Sequence, residues 1–376
     1  MFPTDFHPET RYFYSILSEE ERAFYKFLVE RLSRLEFEFL LFDPEKAPLS
    51  EADVAGGLPA FPCREFDELT FACLNITYIR LLEDCPEFYY AYNSELHFDP
   101  DTRTARIGSG KPEYTPEEIK KYNAALDEML HLFDHITDDF ELELAVHDYV
   151  IERFRYDRND AYTGRYFNEM FTVIGFLERG GAVCSAYTFL VQFILQKRGI
   201  PCAHLVGSEH RNDTSQPELH AWLAVKIKGH YYHLDVTFDD TDEEWGLCSY
   251  SHFNLTDEEI KRDREYQSEY FPGIVCDSTA YNYFVATNSI FRDKASISAA
   301  AKDLVEKSLG RDSIAYLRFR APDLFWEEIE EAAIRPIGRF LTDYDGYFHE
   351  PDVYVIKLIL KNSRSSPDKN KTNNNK

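Results

Sequence analysis

The sequence contains no C-x-x-C pair, so the commonest framework for a structural zinc ion is missing. Its seven cysteines, spread over 376 residues, are too few and too scattered for a disulfide scaffold. An odd count also leaves at least one thiol unpaired. Positive charge is scarce: 41 Lys and Arg face 67 Asp and Glu, for a formal net charge of -26. Such a surface repels phosphate backbones and anionic headgroups, so neither nucleic acid nor membrane is an expected partner. No run approaches the ~18 apolar residues of a membrane-spanning helix. The N-terminus, MFPTDFHPETRYFYSILSEEER, lacks the basic start and unbroken apolar stretch of a signal peptide. Together these absences point to a reduced, cytoplasmic protein.

What the chain does hold is a core. Hydrophobic residues make up 44% and aromatics 15%, with 30 Phe and 25 Tyr, which excludes a disordered scaffold. The first third reads as mainly helical. Ser18 and Glu21 have capping-box spacing ahead of Phe24, Phe27, Leu28, Leu32 and Leu35. A second helix is expected from near Phe66 to Leu82, then a strand over Phe88 to Phe98 that turns at Asp99-Pro100-Asp101 into Arg103 to Ile107. Thr115-Pro116-Glu117-Glu118 and Thr137-Asp138-Asp139 start two more helices.

In the middle third, Gly180-Gly181 leads into CSAYTFLVQFILQKRG, a helix ended by Lys197, Arg198, Gly199 and Pro201. Strand-like segments follow: Cys202 to Gly207, then HAWLAVKI and HYYHLDVTF as a hairpin about Lys228-Gly229. From about Asn288 helices and strands alternate again, at Ser298 to Leu309, Ile314 to Phe319, Phe325 to Ile334 and Val353 to Leu360. The polar tail KNSRSSPDKNKTNNNK is expected to be disordered. The expected organisation is a helical region with a β-hairpin over 1–135, a core over 136–288, a small α/β region over 289–361 and the tail over 362–376.

Within that core, Cys184, His220 and Asp235 stand out. Cys184 occupies the first helical turn after a Gly-rich loop, where orphan amides and the dipole favour negative charge on sulfur. The two glycines would let the backbone approach a substrate, and amides at the helix start would serve as oxyanion donors. With a two-residue turn at Lys228-Gly229, strand parity puts His220 and Asp235 on one face as diagonal neighbours. A carboxylate on one ring nitrogen would leave the other for the thiol. Singly, each residue has a blander reading: a buried helical thiol, a half-buried strand histidine, a turn aspartate.

Their order and surroundings carry more. GGAVCSAYTFLVQFILQKRGIPCAHLVG followed by HAWLAVKIKGHYYHLDVTFDD resembles the core of the bacterial transglutaminase-like superfamily, whose motifs read G-V-C-x-G-Y-A, H-A-W-N-x-V and D-x-T-W-D-D. Upstream VHDYVIERFRYD and downstream HFNLTDEEI extend the resemblance over roughly Ala145 to Ile260. Ala186, Leu223 and Phe238 depart from the family's usual Gly, Asn and Trp. The resemblance implies an α+β fold: a papain-like core with a Cys-bearing helix packed on an antiparallel sheet, a mainly helical N-terminal region and a small α/β C-terminal region.

It also implies acyl transfer through a thioester, with Cys184 as nucleophile, His220 as proton shuttle and Asp235 as its orienter. The partner would be a protein or peptide substrate, and no cofactor or metal is expected. Hydrolysis of a peptide or amide bond is favoured over protein-glutamine crosslinking, because water needs no second subsite. A catalytically silent binding or scaffold module is a further alternative. A metal set of Cys202, His204, His210 and His220 lacks a standard zinc spacing. His147 and Asp148, which match a family motif, read as structural.

Overall fold

Side-chain caps begin most of the helices that the sequence marks. Ser18 accepts from the Glu21 amide while Glu21 accepts from the Ser18 amide, so α1 runs Glu19–Ser33. The computed structural model describes residues 6–64, 68–157, 165–210, 217–241, 247–350 and 352–361, and the expected tail lies outside them. The chain divides into two units, one of Met1–Cys248 with His252–Thr279, the other of Ser249–Ser251 with Ala280–Lys376.

In the first unit β1 (Glu38–Phe42) and β2 (Ala60–Pro62) pair in parallel. After α2 (Glu68–Asp84) comes the hairpin β3 (Leu96–Asp99) and β4 (Thr104–Ile107), giving a sheet of order β2-β1-β4-β3. The strand expected over Phe88 to Phe98 is shorter, since Pro86–Ala91 is a 3-10 turn. Proline favours a helical first turn, and all six residues of that turn are buried, whereas a surface strand alternates. Two capped helices follow, α3 (Pro116–His131) behind Thr115 and α4 (Asp139–Arg153) behind Asp138.

The core proper consists of α5 (Cys184–Lys197), β5 (Cys202–Glu209), β6 (Glu218–Ile227), β7 (His230–Leu234), α6 (Val236–Asp239) and β8 (Arg264–Glu265). Its sheet is antiparallel throughout, in the order β8-β5-β6-β7. Helix α5 is apolar on nearly every side and correspondingly buried from Ala186 to Gln196. It packs against β5 and β6, with Phe189 stacked on His204 at 4.5 Å. Ala203, Leu205, Trp222 and Ala224 pack instead with Tyr12, Phe13, Leu255 and Phe271.

The N-terminal segment is built into this core by charge as well. Buried Arg11 donates to the Asp84 carbonyl at 2.5 Å, pairs with Glu87 at 2.7 Å and hydrogen-bonds the Gln196 side chain of α5. A buried guanidinium of this kind needs partners, and these come from two separate stretches of chain, Asp84 with Glu87 and Gln196 on α5.

The β6–β7 turn matches its expected length, with Ile227 opposite His230. Lys228 and Gly229 both have positive φ, at 48° and 94°, as a two-residue hairpin turn requires. The strand expected to continue through Asp235-Val236-Thr237-Phe238 stops at Leu234. Asp235 accepts from the Phe238 amide at 3.2 Å and thereby caps α6.

In the second unit α7 (Lys294–Ser308) and α8 (Trp326–Ile334) pack on an antiparallel sheet of β9 (Ile314–Arg320), β10 (Leu341–Glu350) and β11 (Val353–Leu360), ordered β9-β11-β10.

Candidate active site

Cys184 is the first residue of α5 and carries a free thiol that is 9% exposed. Its helix has no side-chain cap, because the preceding residue is Val183. Uncapped first-turn amides are available to an anion or a developing oxyanion. The glycines before it have a different task from the expected one. Gly180, at φ 70°, ends the short helix Val173–Arg179 in the left-handed region. Gly181 lies against the Arg155 carbonyl, which a Cβ would meet at 3.2 Å. They join backbone to backbone.

His220 and Asp235, 4% and 1% exposed, come together at 2.8 Å between Nε2 and Oδ2. The Cys184 sulfur lies close enough to the ring to raise its pKa. The three sequence candidates therefore lie in one cluster, joined by a described hydrogen bond between His220 and Asp235. Burial pushes the His220 pKa down, but the Asp235 charge and hydrogen bond, with the Cys184 sulfur, raise it to about 9. Burial pushes the Asp235 carboxyl up, and the charges of His220 and Arg264 pull it far below the usual carboxylate range.

Arg264 is the partner that sequence reasoning missed. Its Nη2 and Nε lie 2.8 Å and 3.2 Å from Asp235 Oδ2, and its guanidinium sits 3.7 Å over the Phe238 ring. Asp263 holds Arg264 Nη1 at 3.0 Å and His252 Nε2 at 3.1 Å. Strand β8 brings Arg264 into register opposite Glu209, whose carboxylate reaches within 3.9 Å of His220 Nδ1. Phe238, which stands where the resemblance has Trp, also meets the His220 ring at 5.1 Å. Only the arginine following the HFNLTDEEI motif offered a sequence signal, and nothing local ties it to Asp235.

Tyr92 was missed too. Its phenol is buried beside Ser185 and feels the charge of Cys184, the nucleophile candidate. Burial and then the charges of Glu83 and Cys184 raise its phenol pKa, so it stays an O–H donor at neutral pH.

His147 is fully buried, with Nδ1 3.0 Å from Asp148 and Nε2 3.2 Å from Asp239. Two His-Asp-Cys groups among the described residues have metal-compatible spacing: His147, Asp148, Cys248 and His233, Asp257, Cys276. The weaker set of Cys202, His204, His210 and His220 is not among them. His204 stacks on Phe189 beside Glu83, while His220 is engaged by Asp235.

Comparison with known proteins covers the same stretch of chain. Residues 131–236 match the family model of the transglutaminase-like superfamily, a span that includes Cys184, His220 and Asp235. No curated protein matches the chain. Among solved structures, a candidate cysteine protease from Cytophaga hutchinsonii is 14% identical, with TM-score 0.24, over 39% of this chain and 61% of that one. A structure described as a TGase is 15% identical, with TM-score 0.26, over 53% of this chain and 55% of that one. The chain thus spans less than two thirds of either, and likeness this loose says nothing about activity. What the comparisons establish is a match of residues 131–236 to the transglutaminase-like superfamily.

Proposed function

We propose that this core is a cysteine-dependent acyl-transfer enzyme that hydrolyses a peptide or amide bond. The observation that supports it most is the buried His220–Asp235 pair at 2.8 Å, held by Arg264, with Cys184 at the start of α5 near enough to raise the ring's pKa. A ring with pKa about 9 holds its proton at neutral pH, where it can be passed to a leaving nitrogen.

Cys184 sulfur attacks the carbonyl carbon, and the carbonyl oxygen becomes an oxyanion that the first-turn amides of α5 would receive. His220 then passes its proton to the leaving nitrogen, the C–N bond breaks, and an amine departs from a thioester. Water attacks next, His220 takes its proton, and the acid leaves as the thiol is restored. An amine in place of water would give transamidation.

The test is incubation of wild-type chain and Cys184→Ala with peptide libraries, with and without a labelled amine, read by mass spectrometry. New carboxyl termini or deamidated glutamines in wild type alone support hydrolysis. Amine incorporation without hydrolysis would replace it by crosslinking, and equal activity in the variant would remove Cys184 from the chemistry.

A further inference from the structure

A second cluster lies one short helix away from Asp235. His147 on α4, the neighbouring Asp148 and Cys248 bring one ring nitrogen, one carboxylate oxygen and one sulfur within 4.8 Å of one another. His147 Nδ1 is 3.0 Å from Asp148 Oδ1 and 3.9 Å from Cys248 Sγ. Donors around a tetrahedral zinc ion at ~2.0–2.3 Å are themselves about 3.3–3.6 Å apart, so small side-chain shifts would suffice.

The tautomer agrees. His147 Nε2 faces the carboxylate of Asp239 at 3.2 Å, an acceptor that keeps a proton on Nε2, so a metal ion replacing the proton between Nδ1 and Asp148 would find the ring already oriented. The similar group His233, Asp257 and Cys276 fails this criterion. Trp222 Nε1–H donates to His233 Nδ1 at 3.1 Å, so Nε2, 2.9 Å from Asp257, must carry the proton and has no lone pair to give. Composition is the same in the two groups, and only one is wired as a ligand set.

Charge balance and access agree as well. A Cys248 thiolate and the Asp148 carboxylate neutralise a dication, which suits a place where His147 and Asp239 are fully buried. Binding would release two protons to solvent, one from the Cys248 thiol and one from His147 Nδ1. Asp148 keeps 35% of its side chain exposed, which gives the ion an entry and a water its fourth position.

From these observations we propose that His147 Nδ1, Asp148 and Cys248 bind a zinc ion, with Asp239 orienting the histidine. The site would act on the neighbouring Cys-His-Asp set by position. Asp239 ends α6, which Asp235 begins, and both residues bond the His252 backbone, at 2.9 Å through Asp239 Oδ1 and 3.0 Å through the Asp235 amide. Zinc bound there would brace α6 from the end opposite Asp235.

The experiment takes the full chain, strips it with a chelator and titrates it with zinc alone, reading stoichiometry by elemental analysis and calorimetry. Cobalt substitution then reports thiolate coordination through its charge-transfer absorption. One zinc per chain is expected, lost in Cys248→Ala and retained in Cys276→Ala. Asp239→Asn should weaken binding by about 10–100-fold, as loss of an orienting carboxylate does elsewhere. The partly exposed Asp148→Asn, which keeps the side chain's shape, should also weaken binding and carries the test if Cys248→Ala does not fold. No uptake by wild type, uptake unchanged in Cys248→Ala and Asp148→Asn, or a cobalt complex without a thiolate band would overturn the site. His147 would then be a buried imidazolium held between two carboxylates.

Discussion

His220 is pulled in two directions: burial disfavours its charged form, and Asp235 restores it. Asp235→Asn removes the restoring charge, so burial should win and the ring should titrate below 6.5 instead of near 9. Histidine NMR titration of both proteins checks this, and an unchanged value would mean that Asp235 does not set the ring's charge. The same shift predicts a pH dependence of folding. Because the folded pKa of about 9 exceeds the ordinary 6.5, the stabilisation is complete below 6.5 and is lost as pH rises through 9. Asp235 acts oppositely, stabilising above its ordinary 3.8 and losing that contribution as pH falls toward its lower folded value. Urea unfolding from pH 6 to 10 should show the alkaline loss in wild type and a smaller one in His220→Gln. Arg264→Lys keeps the charge but loses the two-pronged grip on Asp235. One lost charged hydrogen bond costs about 1.5–3 kcal/mol, or roughly 10–100-fold in kcat/KM if the bond holds the transition state's geometry. Peptide hydrolysis rates of the variant check it.

At the scale of elements, β8 is only two residues long, yet it delivers Arg264, and Gly207 makes room for it. A Cβ at Gly207, the residue opposite His220, would lie 2.3 Å from the Glu265 carbonyl and 2.8 Å from the Trp222 ring. Gly207→Ala should therefore push β8 outward and destabilise the chain by about 3 kcal/mol or more, at the upper end of overpacking costs. Urea unfolding of the variant is the measurement, and near-wild-type stability would show that β8 yields freely. Such dependence explains what the sequence could and could not disclose. Cys184 at a helix start and His220 near Asp235 were legible because capping and hairpin parity are local rules. The parity reasoning reached the right neighbours through a strand that in fact ends at Leu234, with Asp235 turned into a cap. Arg264, Glu209 and Tyr92 were not legible, because strand pairing over 55 positions and packing across separate segments leave no local periodicity.

For the whole molecule, the net charge of -26 is a standing self-repulsion. Raising NaCl from low to physiological concentration should raise Tm, because screening acts over about 8–10 Å and relieves repulsion between surface carboxylates. Differential scanning calorimetry across a salt series checks the sign. No helix among the described residues is long and apolar enough to cross a membrane.

The buried Arg11 bears on where this core can be cut. Family resemblance begins at residue 131, but the sheet's Trp222 and Leu205 rest on Tyr12 and Phe13, and the end of α5 is tied to Arg11 through Gln196. A chain begun at residue 131 would expose that apolar face to water and strip the anchor from the helix that begins at Cys184. The recognisable module is thus a unit of descent that does not coincide with a unit of folding. Residues Arg11, Tyr12 and Phe13 of the opening segment are part of the core they precede.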